Sequence, residues 1–175
     1  DIYREIAFDA GTPLFVNPEG DEDRLTQRRW RTRVLGTGTG KAQGKLLGGN
    51  LTVLTALAGT PYLPDFNGAI LFLEDVDEAE YRIDRMLTQL GQAGVLKNLK
   101  GVVFGQCTDC ANKGTSYGAF TLNDVLTQHL GGLGIPAYQG AWFGHITDQF
   151  TLPVGGMAEI DADAGTLRLL EPVVV

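Results

Sequence analysis

The chain has 175 residues, 43% hydrophobic and 20% charged, with a net charge of −7. That composition suits one globular domain, which at this length buries roughly 70% of its unfolded surface without disulfide support, and it excludes disorder of the whole chain. No apolar run approaches the ~18 residues of a membrane span. An acidic chain without a basic stripe argues against nucleic acid as a partner, because phosphate neutralisation needs clustered Lys and Arg.

Residues 1–44 balance seven Lys/Arg against seven Asp/Glu, whereas residues 45–175 hold seven against fourteen. Gly11, Pro13, Pro18 and Gly20 punctuate the first part, which reads as a linker or peripheral segment with a short helix near Asp23–Arg31. Its arginines follow the acidic run Glu19 to Asp23 and are expected on a solvated helix face. Gly36-Thr37-Gly38-Thr39-Gly40-Lys41 resembles a phosphate loop but lacks the required first glycine and the Ser/Thr after the lysine. A flexible Gly-rich linker is the better reading.

Stronger signals begin at Gly44. Asn50 is placed to cap a helix carrying Leu51, Val53, Leu54, Leu57 and Ala58, which Gly59 stops. The run Ala69-Ile70-Leu71-Phe72-Leu73 predicts a strand buried on both faces, as in a parallel sheet. Ile83, Met86, Leu87 and Leu90 follow helical spacing within Glu78–Gln92, with Glu78 and Arg82 as an i,i+4 pair. Gly101–Gly105 predicts a second buried strand, completing a βαβ unit. After a loop over 106–120, Thr121-x-x-Asp124 predicts a capping box opening a helix to Leu130. A third strand is expected over Ile135–Trp142, and alternation through Ala158, Ile160, Ala162, Leu167 and Leu169 predicts a closing β-hairpin. The expected class is α/β, a small sheet with a βαβ unit and a C-terminal hairpin.

Several groups suggest chemistry. Cys107 and Cys110 form one C-x-x-C pair. A structural zinc needs four ligands, so loop thiols are the leading reading, with a loop disulfide or a metal or redox centre as alternatives. Gly114-Thr115-Ser116-Tyr117-Gly118 matches G-x-S-x-G and holds the only serine, but no strand precedes it, so an ordinary turn is expected. His129 reads as a satisfied or exposed helix histidine. Glu74 and His145 stand apart. Glu74 directly follows a predicted strand and His145 lies just past another, and the carboxyl ends of parallel strands are where α/β proteins do chemistry. A glutamate can fix an imidazole tautomer while the other ring nitrogen takes a proton from a hydroxyl. Spacing alone leaves the pair open between this role and surface residues at strand ends.

Gly48-Gly49-Asn50-Leu51, Gly59-Thr60-Pro61-Tyr62, Ile70-Leu71-Phe72-Leu73-Glu74-Asp75, Tyr81-Arg82-Ile83-Asp84-Arg85-Met86-Leu87, and Phe143-Gly144-His145 followed by Leu152-Pro153-Val154-Gly155 carry a resemblance. Over about residues 44–171 the chain resembles the carboxyl-terminal domain of the LD-carboxypeptidases, serine peptidases that include the microcin C self-immunity peptidases. The resemblance implies removal of the terminal D-alanine from murein tetrapeptides during cell-wall recycling, in the cytoplasm, by a metal-independent Ser–His–Glu triad without cofactor. It implies that Glu74 and His145 are catalytic, that residues 45–175 form the domain bearing them, and that dimers are common. The family's nucleophile sits in an amino-terminal domain that this chain lacks, and Ser116 falls in a loop the family does not use for catalysis. The isolated chain is therefore expected to be inactive without its nucleophile domain or partner chain.

Two substrate contacts are weaker expectations. Asn50, at a helix start, is either a substrate contact or a plain cap. Asp148 either orients the His145 loop or binds a substrate amine. The alternatives to murein peptide hydrolysis are hydrolysis of a peptidyl nucleotide, a non-catalytic binding or dimerisation domain, and a hydrolase using Ser116 alone.

Overall fold

The computed structural model describes residues 13–17, 31–110 and 120–172. The helix expected near Asp23–Arg31 lies, but for Arg31, outside them, as does the Gly114–Gly118 segment. The strands in chain order are β1 (Leu14–Val16), β2 (Arg33–Val34), β3 (Lys41–Asn50), β4 (Ile70–Val76), β5 (Gly101–Thr108), β6 (Ala137–Gln139), β7 (Met157–Asp161) and β8 (Thr166–Leu169). They make one eight-stranded sheet in the order β1-β8-β7-β3-β4-β5-β6-β2. The helices are α1 (Leu51–Ala56), α2 (Glu80–Gln92) and α3 (Leu122–His129). None is long and apolar enough to cross a membrane.

The two apolar runs form the parallel centre. In β4, Leu71 and Leu73 join the core beneath the helices, whereas Ile70 and Phe72 enter a second core on the opposite face. In β5, Val102 and Phe104 face the helices and Val103 faces away. A strand buried on both sides has no polar face, which is why these segments read as continuous runs. Helix α2 closes the first core with Ile83, Met86, Leu87 and Leu90, all buried as their spacing predicts. His129 Nε2 meets Asp84 Oδ1 at 2.7 Å and ties α3 to α2. The second core is covered by the hairpin β7–β8 and by β1, through Ile160, Leu167, Leu169 and Phe15.

The expected domain boundary at residue 44 falls inside a strand. Lys41–Lys45 of β3 pair antiparallel with β7, and Leu46–Asn50 pair parallel with β4. One strand thus joins the antiparallel wing to the parallel centre. The segment expected to be peripheral also contributes β1, paired with β8, and β2, paired with β6. The glycines of β3 obscured it: Gly48 has φ +151°, and a Cβ there would overlap the Phe72 carbonyl oxygen. The residue marks a close approach of two strands, not a turn.

Elsewhere the differences are of extent. Helix α1 ends at Ala56 with Leu57 as C-cap, short of Gly59. Strand β5 continues to Thr108, while β6 is confined to Ala137–Gln139. The capping box is present: Thr121 Oγ1 accepts from Asp124 N, and Asp124 Oδ2 accepts from Thr121 N at 2.8 Å. The Thr121 hydroxyl, then its backbone N–H, hold the Asp124 carboxyl below the usual carboxylate range. A depressed carboxyl stabilises the fold above its unfolded pKa and loses that contribution as pH falls through the folded value. Thr121→Ala should therefore lower the denaturant midpoint at pH 7 by the loss typical of a removed N-cap, and the gap from the parent should narrow below about pH 4. Chemical denaturation at several pH values checks both.

Candidate active site

The site forms where β4 and β5 end. Leu73 pairs with Phe104 and Asp75 with Cys107, so two steps along β4 match three along β5. The extra residue is a bulge, a device that re-aims side chains at strand ends. The segment after β6 is laced along this irregular edge. Gly140 N donates to Phe104 O at 2.8 Å, Gln106 N to Phe143 O at 3.0 Å, and Gln106 Nε2 to Gly140 O at 2.8 Å. The Phe143 ring meets Phe72 edge-on, centroids 5.7 Å apart. Thr108 Oγ1 donates to His145 O at 2.8 Å. These bonds deliver His145 to β4.

His145 Nδ1 lies 2.8 Å from Glu74 Oε2. With the carboxylate ionised, Nδ1–H donates and Oε2 accepts, which leaves Nε2 as the basic nitrogen. The glutamate side chain is 10% exposed and the histidine 55%. The carboxylate is therefore shielded behind an accessible imidazole. Both line an open cleft of about 430 Å³, together with Gly48, Gly49, Asn50, Phe143, Phe150 and Leu152. One wall is polar backbone and carboxamide; the other is aromatic and aliphatic. Gly144 makes the closure possible. It has φ +119°, and a Cβ there would stand 2.9 Å from Glu74 Oε2 and 3.0 Å from Gln106 O.

Asn50 sits opposite Glu74 in the β3–β4 register and caps α1, its Oδ1 accepting from Val53 N at 3.0 Å. Asp148 is exposed on the His145 loop and does not line the cleft. The sequence reading passed over Asp75. It is 2% exposed and accepts from Asn50 Nδ2 at 3.1 Å, from Thr52 N at 3.0 Å and Oγ1 at 2.9 Å, and from Val76 N at 2.9 Å. The one available signal was an acidic pair ending an apolar strand, where alternation sends neighbours to opposite faces.

Cys107 and Cys110, expected foremost as loop thiols, are joined in a disulfide with Cα atoms 5.4 Å apart. Because β5 runs past Cys107, the turn beyond it brings Cys110 back, with Cys110 N donating to Cys107 O at 3.3 Å. Among the described residues no three His, Cys, Asp or Glu side chains gather to hold a metal ion.

A family model described as the LD-carboxypeptidase C-terminal domain matches residues 43–160. The chain belongs to the LD-carboxypeptidase family. Among its relatives, the murein tetrapeptide carboxypeptidase of Pseudomonas aeruginosa is 32% identical over 175 aligned residues, covering 93% of this chain and 56% of that protein. The microcin C7 self-immunity protein MccF of Escherichia coli is 33% identical over 138 residues, 77% of this chain and 38% of that protein. The crystal structure of muramoyltetrapeptide carboxypeptidase from Oxalobacter formigenes matches with a TM-score of 0.71 at 33% identity, covering 96% of this chain and 52% of that one. MccF in complex with aspartyl sulfamoyl adenosine matches with a TM-score of 0.75 at 26% identity, over 95% of this chain and 52% of that one. The chain spans about half the length of these family members, or less.

The glycine at 144 can be tested directly. Gly144→Ala should cost about 1–3 kcal/mol of backbone strain and push the imidazole off Glu74. A reduced melting temperature, with loss of the downfield Nδ1–H resonance of His145, is the expected outcome.

Proposed function

We propose that this LD-carboxypeptidase domain supplies the base and the orienting acid of a Ser–His–Glu triad that removes the terminal D-alanine from murein tetrapeptides. The observation that carries the reading is the 2.8 Å contact between His145 Nδ1 and Glu74 Oε2. Glu74 holds the tautomer whose Nε2 is a base and stabilises the imidazolium when it forms. Nε2 takes the proton of a serine hydroxyl, and the serine oxygen attacks the carbonyl carbon of the terminal amide. The imidazolium then protonates the departing amine of D-alanine, leaving an acyl-serine. Water, deprotonated by the same nitrogen, attacks the acyl carbon and releases the shortened peptide and the serine.

The serine comes, in this reading, from an amino-terminal nucleophile domain outside the present sequence. The greater length of the relatives is consistent with such a domain. In this reading Glu74 and His145 act once that domain brings its serine to the cleft. Asn50 contacts the substrate from the polar wall of the cleft, and Asp148 steadies the loop that bears His145. The assembled enzyme works as a homodimer in the cytoplasm, in peptidoglycan recycling.

A second reading rests on the likeness to MccF bound to aspartyl sulfamoyl adenosine. The same triad would cut the amide of a peptidyl nucleotide, the aromatic wall of the cleft receiving a base or sugar face. Side-by-side assays of D-alanine release and acyl-sulfamoyl nucleotide cleavage separate the two.

In the enzyme assembled with its nucleophile domain, His145→Ala should reduce D-alanine release by the ~100- to 10,000-fold worth of a general base. Glu74→Gln should reduce it comparably, both with unchanged circular dichroism. Full activity in either folded variant would sink the assignment.

A further inference from the structure

The four donors on Asp75 fill both of its oxygens. Oδ1 accepts from Asn50 Nδ2 and Val76 N, and Oδ2 from Thr52 N and Thr52 Oγ1. A carboxylate offers about four acceptor sites and no donor. Asp75 is also shut away from solvent at 2% exposure, so its geometry has no alternative partners to relax into. The Asn50 carboxamide is consequently fixed in sense as well as in place. Its oxygen must face the Val53 N–H and its nitrogen must face Asp75. A flipped amide would set oxygen against carboxylate and N–H against N–H.

Capping alone does not require this arrangement. An Asp or Ser at position 50 would accept from the α1 backbone equally well, but an ionised Asp could not donate to Asp75, and a serine hydroxyl that did so would have no further side-chain donor left to present in the cleft. With Oδ1 and one N–H committed, the second N–H of Asn50 is the remaining polar function of that side chain. Asn50 pairs across from Glu74 and lines the same cleft as Glu74 and His145. We infer that Asp75 is a positioning residue: it orients the Asn50 carboxamide so that one N–H is presented in the cleft to an acceptor oxygen of the substrate. The inference rests on the proposed hydrolase reading for the substrate's presence, but not for the orientation itself. Two adjacent carboxylates on β4 thereby divide the work, Glu74 holding the imidazole on one face and Asp75 the substrate-binding amide on the other.

The orientation is readable without catalysis. In the ¹⁵N–¹H spectrum of the intact chain, the Asn50 side-chain amide should give two well-separated protons, one protected from exchange by Asp75. In Asp75→Asn that pair should collapse towards the values of an exposed amide; an unchanged pair overturns the inference. In the assembled enzyme, Asp75→Asn and Asn50→Ala should each raise KM about tenfold or more with kcat changed less than about threefold, the signature of lost binding rather than lost chemistry. A parent-like KM in Asp75→Asn beside a raised KM in Asn50→Ala overturns it. The double variant Asn50→Asp/Asp75→Asn restores a bond between the two positions with reversed polarity, and keeps a cap on α1. It should fold even where Asp75→Asn does not, and it should retain the high KM because position 50 then has no N–H to offer. A parent KM in that variant also overturns the inference. Undiminished turnover in Glu74→Gln would instead count against the triad reading, and the amide spectrum would still decide the role of Asp75.

Discussion

The hydrogen bond between His145 and Glu74 joins residues 71 positions apart and lies at the convergence of most of the fold. For it to form, β4 must end at a fixed depth, the segment after β6 must return along β5, and position 144 must carry no side chain. Each condition has its own support. The β4 run is pinned between two cores. The returning segment is held by backbone bonds to Phe104 and Gln106 and by the Phe72–Phe143 contact. Gly144 leaves open the space where a Cβ would crowd the Glu74 carboxylate at 2.9 Å. An exposed imidazole against a shielded carboxylate is a directional arrangement, since only one ring nitrogen remains free to exchange protons with a ligand.

Antiparallel wing and parallel centre serve this site differently. The parallel strands β4 and β5 present their carboxyl ends together, as in α/β sheets generally. The wing of β7, β8 and β1 covers the face that carries Phe72 and so leaves the polar positions beyond it to form a cleft. Strand β3 belongs to both, and its last residue is the cap of α1. A single strand therefore sets the distance between the wing, the first helix and Glu74. At Gly48 that strand leaves no room for a Cβ against the Phe72 carbonyl of β4.

The end of β5 is the second organising edge. Its bulge, the Thr108 bond to His145 and the Cys107–Cys110 disulfide lie within a few residues of one another. Bulges next to functional sites alter the aim of a strand without altering the sheet behind it. Strand alternation then sends Asp75 towards α1 and Glu74 towards the cleft, although the two are neighbours in the chain.

What the sequence by itself determined was the local and periodic part of this protein. The runs at Ile70–Leu73 and Val102–Phe104, the spacing of Ile83, Met86, Leu87 and Leu90, the Thr121–Asp124 box and the closing hairpin all encode their own secondary structure, because burial and capping act over a few residues. The motifs around Asn50, Glu74 and His145 were enough to suggest the family and to single out Glu74 and His145 as a pair. Only the tertiary structure decided that β3 is a strand, since its glycines reflect contact with β4, which no local pattern encodes. It alone decided that Cys107 and Cys110 are joined, because that depends on how far β5 continues. It alone disclosed Asp75, whose partners come from β3 and α1 and whose importance lies in hydrogen bonds between segments that are distant along the chain.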